Sequence, residues 1–275
     1  MKQTTDLHSI TVHVRRYDPD RDSVPRQQHY TIQIPKGTTV LEGLLMIKQT
    51  QDPTVGFRYS CRMGICGSCG MLINGVPGLA CNTQILDVTQ TALTLAPLPN
   101  FTLIRDLVVD LVPMFEVLRK VQPYIQRSDV EEMENPTMEY FQTPQQLEEF
   151  LQFTYCIKCG SCMAACPTMA TDKEYLGPMP LTQAYRYNTD SRDDAADVRR
   201  EIVSSSHGLF NCHYAAECSN VCPKGVDPAR AIQLMKRDLV LRYFNLTKKK
   251  CAGLCKKPPE SSYKPKIEAP PFTVE

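Results

Sequence analysis

Cysteine spacing is the feature that most constrains what this chain can fold into. The 275 residues include 13 cysteines, and eleven of these fall in two regions, residues 61–81 and 156–222, with the spacing of metal ligands. An odd number of cysteines in a chain of this length, with no export signal, disfavours a disulfide scaffold. The sequence therefore predicts bound metal. The other two cysteines, Cys251 and Cys255, lie in the C-terminal tail and lack a second pair.

The first region has the pattern C-x4-C-x2-C followed by a later cysteine. Its members are Cys61, Cys66, Cys69 and Cys81. Plant-type [2Fe–2S] ferredoxins have this spacing. Glycines at 64, 67 and 70 supply the backbone freedom that a loop wrapped around a cluster needs. A structural zinc site also uses four thiolates and is the alternative interpretation. The glycine-rich loop favours the iron–sulfur cluster.

The second region contains two runs of matching spacing. The first run is Cys156, Cys159, Cys162 and Cys166, followed by Pro167. In bacterial two-cluster ferredoxins the fourth cysteine of such a run ligates the other cluster. The second run is Cys212, Ala215, Cys218 and Cys222, followed by Pro223. Pseudo-twofold symmetry then assigns Cys222 to the first three cysteines of the first run, which completes a [4Fe–4S] site.

The same symmetry leaves an incomplete ligand set of Cys166, Cys212 and Cys218. Because Ala215 cannot ligate iron, we favour a [3Fe–4S] cluster there. The alternative is a [4Fe–4S] cluster with a fourth ligand other than cysteine, for which His213 or Glu217 is the candidate. Zinc, or buried cysteines with no metal, is the alternative for the whole region. Two runs that each end in Cys-Pro favour clusters.

The N-terminal third has the pattern of an α+β unit. Apolar residues alternate over 10–14 and over 30–34, which predicts two half-buried strands. Thr38 or Thr39 is a helix cap, and the helix should run to about residue 49. Leu93 and Leu95 predict a closing strand. These elements give a first domain over residues 1–105.

The remainder of the chain has helical patterning, which gives a second, all-α domain over residues 106–246. Apolar spacing predicts a helix from about 104 to 120 that Pro113 should kink or split. Helices should also start at Thr143-Pro144 and at Asp227-Pro228. Residues 247–275, with seven lysines and five prolines, predict an extended tail.

Composition excludes several classes of function. Lysine and arginine number 31 against 30 acidic residues, so nothing in the net charge of +1 indicates nucleic-acid binding. No apolar run reaches the ~18–20 residues of a membrane span. The N-terminus has no signal-peptide core. The chain should therefore remain in the compartment where it is made and meet a membrane only peripherally.

Together the motifs closely resemble the iron–sulfur subunit of succinate dehydrogenase and quinol:fumarate reductase. The resemblance extends to about residue 245 and rests on residues 60–70 (SCRMGICGSCG), 105–110 (RDLVVD), 156–167, 175–178 (YLGP), 184–186 (AYR), 190–193 (DSRD) and 222–225 (CPKG). It implies an N-terminal β-grasp ferredoxin domain and a C-terminal helical ferredoxin domain. It also implies the [2Fe–2S], [4Fe–4S] and [3Fe–4S] clusters that the spacings indicate.

The resemblance implies an electron-transfer function in which no residue of this chain is catalytic. In that family a FAD-containing subunit oxidises succinate or reduces fumarate, and a membrane-anchor subunit, with or without haem b, completes a quinone site. The chain would then be held on the inner face of the cytoplasmic membrane. One alternative is a fumarate reductase that works in the reverse direction or with a non-quinone donor, such as a thiol. A non-redox zinc scaffold is the alternative from another class.

Three residues match the family's quinone site. They are Pro167, His213 and Lys236. Many succinate dehydrogenases have tryptophans three to four positions after the proline, where this sequence has Ala170 and Thr171 and contains no tryptophan at all. This departure resembles fumarate reductases, or an altered anchor.

Overall fold

The computed structural model describes residues 6–246. A mixed sheet formed by the first five strands lies in the N-terminal part, and a short hairpin follows it. The strands are β1 (Leu7–Arg16), β2 (Arg26–Pro35), β3 (Gly70–Ile73), β4 (Val76–Leu79), β5 (Ala92–Ala96), β6 (Leu103–Arg105) and β7 (Val108–Val109). The order in the sheet is β2-β1-β5-β3-β4. Within this sheet, over the described residues, β1 and β5 pair in parallel and the other neighbouring strands pair antiparallel.

Most of the helices in the described residues lie in the C-terminal part. They are α1 (Val40–Thr50) and α2 (Ile85–Val88) in the sheet region, then α3 (Val112–Lys120), α4 (Val130–Glu134), α5 (Pro144–Glu148), α6 (Leu151–Thr154), α7 (Ser161–Ala164), α8 (Pro167–Thr171), α9 (Pro178–Thr189), α10 (Ala196–Val203), α11 (Glu217–Asn220) and α12 (Pro228–Tyr243). A 3-10 turn covers Leu209–Asn211. The predicted mixed α+β chain, with a sheet first and helices after it, is confirmed. The tail over 247–275, with Cys251 and Cys255, lies outside the described residues.

The predicted strands and helix of the N-terminal part are present. Residues on one face of β1 and β2 are buried together with Val40, Leu44 and Ile47 of α1, and they form one apolar core. Thr39 is the N-cap of α1 and forms a capping box with Glu42, which satisfies amides that the first turn leaves free. This core holds β3 and β4, whose ends carry cysteines, in a fixed position.

The predicted helix over residues 104–120 is wrong in its first half. Residues 103–109 form the β6–β7 hairpin, and α3 begins only at Val112. Asp106 has φ 48°, which suits a tight turn and not a helix. Pro113 lies in the first turn of α3, where its missing N–H costs nothing, so it starts the helix instead of kinking it.

Long helices and a buried ion pair organise the C-terminal part. Helix α12 packs along α9, and both contribute to one apolar core. The guanidinium of Arg199 is fully buried and pairs with Asp193 at 2.6 Å. It also donates to the backbone oxygens of Gln122 and Tyr124, which fixes the connector after α3. No helix within residues 6–246 is long and apolar enough to cross a membrane.

A buried arginine at the end of β1 ties the sheet to the β6–β7 hairpin. Arg16 donates to Asp106 at 2.9 Å, to Asp52 at 2.6 Å and to the Tyr30 hydroxyl at 2.7 Å. Asp106 also accepts from the backbone N–H of Gly56 at 2.7 Å. Burial raises the pKa of Asp52, but hydrogen bonds from its neighbours outweigh burial and hold the pKa well below its ordinary value. Asp52 therefore stays charged, and it shares Arg16 with Asp106.

We expect Arg16→Met to destabilise the sheet by about 3–5 kcal/mol, because it leaves the buried carboxylate of Asp106 and the half-buried carboxylate of Asp52 without their cation. Hydrogen–deuterium exchange of the β1 amides measures the change as faster local opening. Arg21→Met is the matched control, since Arg21 is 84% exposed and lies 4.0 Å from Asp18. The control should change stability by less than about 1 kcal/mol. Equal exchange in both variants would contradict this account of Arg16.

Candidate iron–sulfur cluster sites

The first cysteine loop is shaped by left-handed backbone. Arg62, Gly64 and Gly67 have φ of 57°, 68° and 74°. These turns aim backbone N–H groups at sulfur. Cys61 Sγ accepts from Ile65 and Cys66 at 3.3 Å and from Met63 at 3.5 Å, and Cys81 Sγ accepts from Gly64 at 3.2 Å. Amides that point at sulfur offset negative charge, as a cluster of anionic sulfurs requires.

The β3–β4 hairpin brings the other two cysteines of this group together. Cys69 precedes β3 and Cys81 follows β4, and their sulfurs lie 3.3 Å apart. Both are buried, whereas Cys66 is exposed at the tip of the loop. Backbone hydrogen bonds lower the pKa of Cys61 to about 6, and burial raises the pKa of Cys69 to about 12. The loop and the hairpin thus place Cys69 beside Cys81 and direct backbone donors of one loop at Cys61 and Cys81, and thiolates are soft ligands that suit iron.

The two later runs have the same local structure. Lys158 and Gly160 have φ of 56° and 84°, and the equivalent Tyr214 and Ala216 have φ of 58° and 61°. Each pair is followed by a short helix, α7 in the first run and α11 in the second. Ala216 adopts a backbone conformation that alanine rarely takes, and does so where the first run has glycine. The repeated backbone is the pseudo-twofold relation that the spacing predicts.

The seven cysteines of these runs line two separate cavities. The first cavity, which we call the four-cysteine cavity, is lined in part by Cys156, Cys159, Cys162 and Cys222. The second cavity, which we call the three-cysteine cavity, is lined in part by Cys166, Cys212 and Cys218 and also by Ala215. Each cavity therefore receives one cysteine from the other run. Burial raises the pKa of Cys162 well above its ordinary value and that of Cys218 to about 11.

Both candidates for a fourth ligand other than cysteine lie at the three-cysteine cavity. His213 and Glu217 line the three-cysteine cavity, and both side chains are exposed. Within residues 6–246 no three His, Cys, Asp or Glu side chains are placed to hold a single metal ion.

The quinone-site candidates lie around the same cavity but differ in their contacts. Pro167, the first residue of α8, and His213 both line the cavity and are exposed. Lys236 does not line it. Its ammonium donates to the backbone oxygen of Cys212 at 2.8 Å and lies 6.0 Å from the centre of the Phe210 ring. Lys236 therefore supports a ligand-bearing loop in this structure.

One residue near the cavity was not predicted from the sequence. Tyr175 is 2% exposed and lines the three-cysteine cavity together with Cys166, Cys212 and Cys218. Burial, followed by the nearby thiols of Cys212 and Cys166, raises the pKa of Tyr175. Its sequence neighbourhood gives no spacing that would aim the side chain at a cysteine, so only the fold reveals it.

The first loop packs directly on the first of the later runs. A Cβ placed on Gly67 would lie 2.9 Å from the Cα of Cys159, and one placed on Gly70 would lie 3.2 Å from the Cys159 carbonyl oxygen. Real Cβ atoms essentially never come as close to backbone as the first of these distances. The absence of a side chain at Gly67 thus allows backbone contact between two cysteine-bearing segments that are far apart in sequence.

Comparison with protein families matches both cysteine regions. A 2Fe-2S iron-sulfur cluster binding domain matches residues 11–116, and a 4Fe-4S dicluster domain matches residues 152–226. The fumarate reductase iron-sulfur subunit of Mycobacterium tuberculosis is 45% identical over 230 residues, which cover 84% of this chain and 92% of that protein. This chain belongs to the family of fumarate reductase and succinate dehydrogenase iron–sulfur subunits.

Other members of the family extend the likeness. The mitochondrial succinate dehydrogenase [ubiquinone] iron-sulfur subunit of Candida glabrata is 38% identical over 232 residues, which cover 83% of this chain and 90% of that protein. A chain of the Mycobacterium smegmatis Sdh1 complex in the apo form superposes with a TM-score of 0.78 at 25% identity. That match covers 87% of this chain and 99% of the solved chain. The resemblance indicated by the sequence is confirmed.

We expect Gly67→Ala to separate the first loop from Cys159. The variant adds backbone strain of about 1–2 kcal/mol and a contact too short to keep. Gly75→Ala is the matched control, because Gly75 also has positive φ, 83°, but nothing lies within 4 Å of its Cβ position. Urea unfolding and iron per chain should show the larger loss in Gly67→Ala. Equal losses in the two variants would mean that the contact with Cys159 contributes nothing.

Proposed function

We propose that this chain is the electron-transfer iron–sulfur subunit of a membrane-associated succinate:quinone oxidoreductase. The observation that carries the proposal is that each of the two cavities contains one cysteine from the other run. One cavity is thereby lined by four cysteines and the other by three. The proposed ligands are Cys61, Cys66, Cys69 and Cys81 for [2Fe–2S], Cys156, Cys159, Cys162 and Cys222 for [4Fe–4S], and Cys166, Cys212 and Cys218 for [3Fe–4S]. The chain is a non-catalytic subunit of an oxidoreductase.

The protein's contribution is ligation, burial and fixed spacing. Bound clusters supply one-electron redox chemistry. The cysteine thiolates hold them, and backbone N–H groups directed at Cys61 and Cys81 offset their negative charge. At the two later sites Cys162 and Cys218 are buried within an apolar core. The contact at Gly67 keeps the first loop beside the four-cysteine cavity.

The proposed partners follow from the family. A flavoprotein subunit with covalent FAD would exchange electrons with this chain at one end. One or more membrane-anchor subunits, with or without haem b, would hold it against the inner face of the cytoplasmic membrane and share a quinone site. Pro167 and His213 are the candidates of this chain for quinone contact, since both are exposed at the three-cysteine cavity. Lys236 is a candidate through its support of Cys212.

The finer description of the fold is also part of the proposal. Residues 1–105 would be a β-grasp ferredoxin domain, because α1 crosses one face of a sheet with a parallel central pair. Residues 106–246 would be a helical domain like that of bacterial ferredoxins, which the repeated backbone of the two runs supports.

Operation in the direction of fumarate reduction is the second candidate. The Mycobacterium tuberculosis relative at 45% identity is named a fumarate reductase subunit. Ala170 and Thr171, in place of the tryptophans of many succinate dehydrogenases, also favour this direction. Turnover of the purified complex with succinate and a quinone, against fumarate and a quinol, distinguishes the two. A complex that used a thiol donor and no quinol would instead support the non-quinone alternative.

Rapid freezing after mixing the purified complex with succinate tests the function directly. Iron–sulfur signals in electron paramagnetic resonance should change within a single turnover and change back on addition of quinone. A colourless complex without iron that still turned over would contradict the proposal.

We expect Ala215→Cys to convert the three-iron cluster to a four-iron cluster, because it restores the ligand that the second run lacks. The paramagnetic signal of the oxidised three-iron cluster should then be lost while iron per chain rises. Ala216→Ser is the control, since it changes a neighbouring small residue without adding a thiolate. An oxidised three-iron signal that survives unchanged in Ala215→Cys would show that the ligand assignment is wrong.

A further inference from the structure

The hydroxyl of Tyr175 lies where it can act on the three-cysteine cavity. The side chain is 2% exposed and packs in the core that includes Cys166, Cys212 and Cys218. It lines the cavity together with Cys212. The phenol of tyrosine has an O–H to donate and a thiolate can only accept, so a hydrogen bond between the two runs from Tyr175 to Cys212.

The segment that carries Tyr175 is fixed on both sides. Asp172, which ends α8, accepts from the backbone N–H of Glu174 at 2.9 Å and contacts Nδ1 of His207 at 3.0 Å. The backbone N–H of Leu176 donates to the His207 oxygen at 2.9 Å. Next to it, Gly177 has φ 86° and packs so closely on Met163 that a Cβ would lie 2.5 Å from the sulfur.

The acceptor is fixed by the same network. Asn211, the residue before Cys212, donates its side-chain amide to Asp172 at 2.9 Å. From the other side Lys236 donates to the Cys212 carbonyl oxygen at 2.8 Å. Asp172 thus anchors both the segment of Tyr175 and the segment of Cys212. Donor and acceptor keep their relative position without depending on each other.

A donor held in this way has a defined electrostatic effect. Hydrogen bonds to cluster sulfurs, together with burial, set the reduction potential of an iron–sulfur site. Reduction adds negative charge, so a donor stabilises the reduced state more than the oxidised state and raises the potential. The low dielectric of a buried site strengthens this interaction.

We propose that the Tyr175 hydroxyl raises the reduction potential of the cluster in the three-cysteine cavity by donating a hydrogen bond to the Cys212 thiolate. Tyr175 is a positioning residue in this sense, because it acts through a ligand and touches no substrate. The inference rests on the proposed function, since it requires a redox cluster at this site.

Redox titration of the intact complex, followed by electron paramagnetic resonance of the oxidised three-iron signal, tests the proposal. Tyr175→Phe should shift the reduction equilibrium about tenfold toward the oxidised state, which is a fall of about 59 mV for a one-electron couple. Tyr185→Phe is the matched control. Tyr185 loses the same oxygen from α9, where it packs on Phe153 with ring centres 5.1 Å apart, and does not line this cavity. The [2Fe–2S] potential in each sample is an internal reference.

A second variant separates hydrogen bonding from packing. Tyr175→3-fluorotyrosine keeps the shape of the ring and makes the O–H a stronger donor, so the potential should rise where Tyr175→Phe lowers it. If the cluster does not assemble in Tyr175→Phe, the sign of the fluorotyrosine shift decides. A signal present at an unchanged potential in the fluorotyrosine variant would overturn this inference alone. Absence of any cluster signal from the unaltered complex would overturn the proposed function instead.

Discussion

Buried cysteine sulfur is the constraint on which the rest of this structure depends. Burial raises the pKa of Cys162, Cys218 and Cys69, in each case helped by neighbouring cysteines that become negative on ionisation. Without a cationic centre, thiolates so close together repel each other in surroundings that do not solvate them. Iron removes this penalty by coordination. The grouping of these cysteines in the interior is the arrangement that the proposed clusters require.

The two cysteine runs differ in what surrounds them. Cys159 in the first run lies against Gly67 of the first loop, inside the protein. The equivalent Ala215 in the second run is exposed, and Phe210 and Tyr214 near it are 56% and 59% exposed. The first run thus faces the N-terminal part of the chain, whereas the second run faces solvent. A chain that carries electrons from one partner to another needs two such unlike ends.

The ligand set stays a prediction, but the repeated backbone that supports it could be predicted from sequence, because the matched spacing over Cys156–Cys166 and Cys212–Cys222 dictates it. Capped helix starts such as Thr39 were equally readable, since capping depends on neighbours in the chain. The β6–β7 hairpin was not. Leu107 and Val108 fit both a helix and a strand, and the choice is made by Asp106, which meets Arg16 from 90 residues away at 2.9 Å.

The contacts that position the sites could not be predicted from the sequence either. Nothing in the pattern around Gly67 distinguishes a glycine needed for its φ from one needed for the approach of Cys159. Tyr175 likewise lies far along the chain from Cys212, and only the network through Asp172 and Asn211 brings them together. Such contacts join segments distant in sequence, so local periodicity carries no record of them.

Exchange of cysteines between the two runs is the central claim, and single ligand substitutions in the intact complex test it most directly. Serine is a weaker ligand for cluster iron than cysteine because its oxygen is harder. The account predicts that Cys222→Ser alters the four-iron signal and leaves the oxidised three-iron signal in place, whereas Cys166→Ser does the opposite. Loss of the three-iron signal in Cys222→Ser, with the four-iron signal intact, would contradict it.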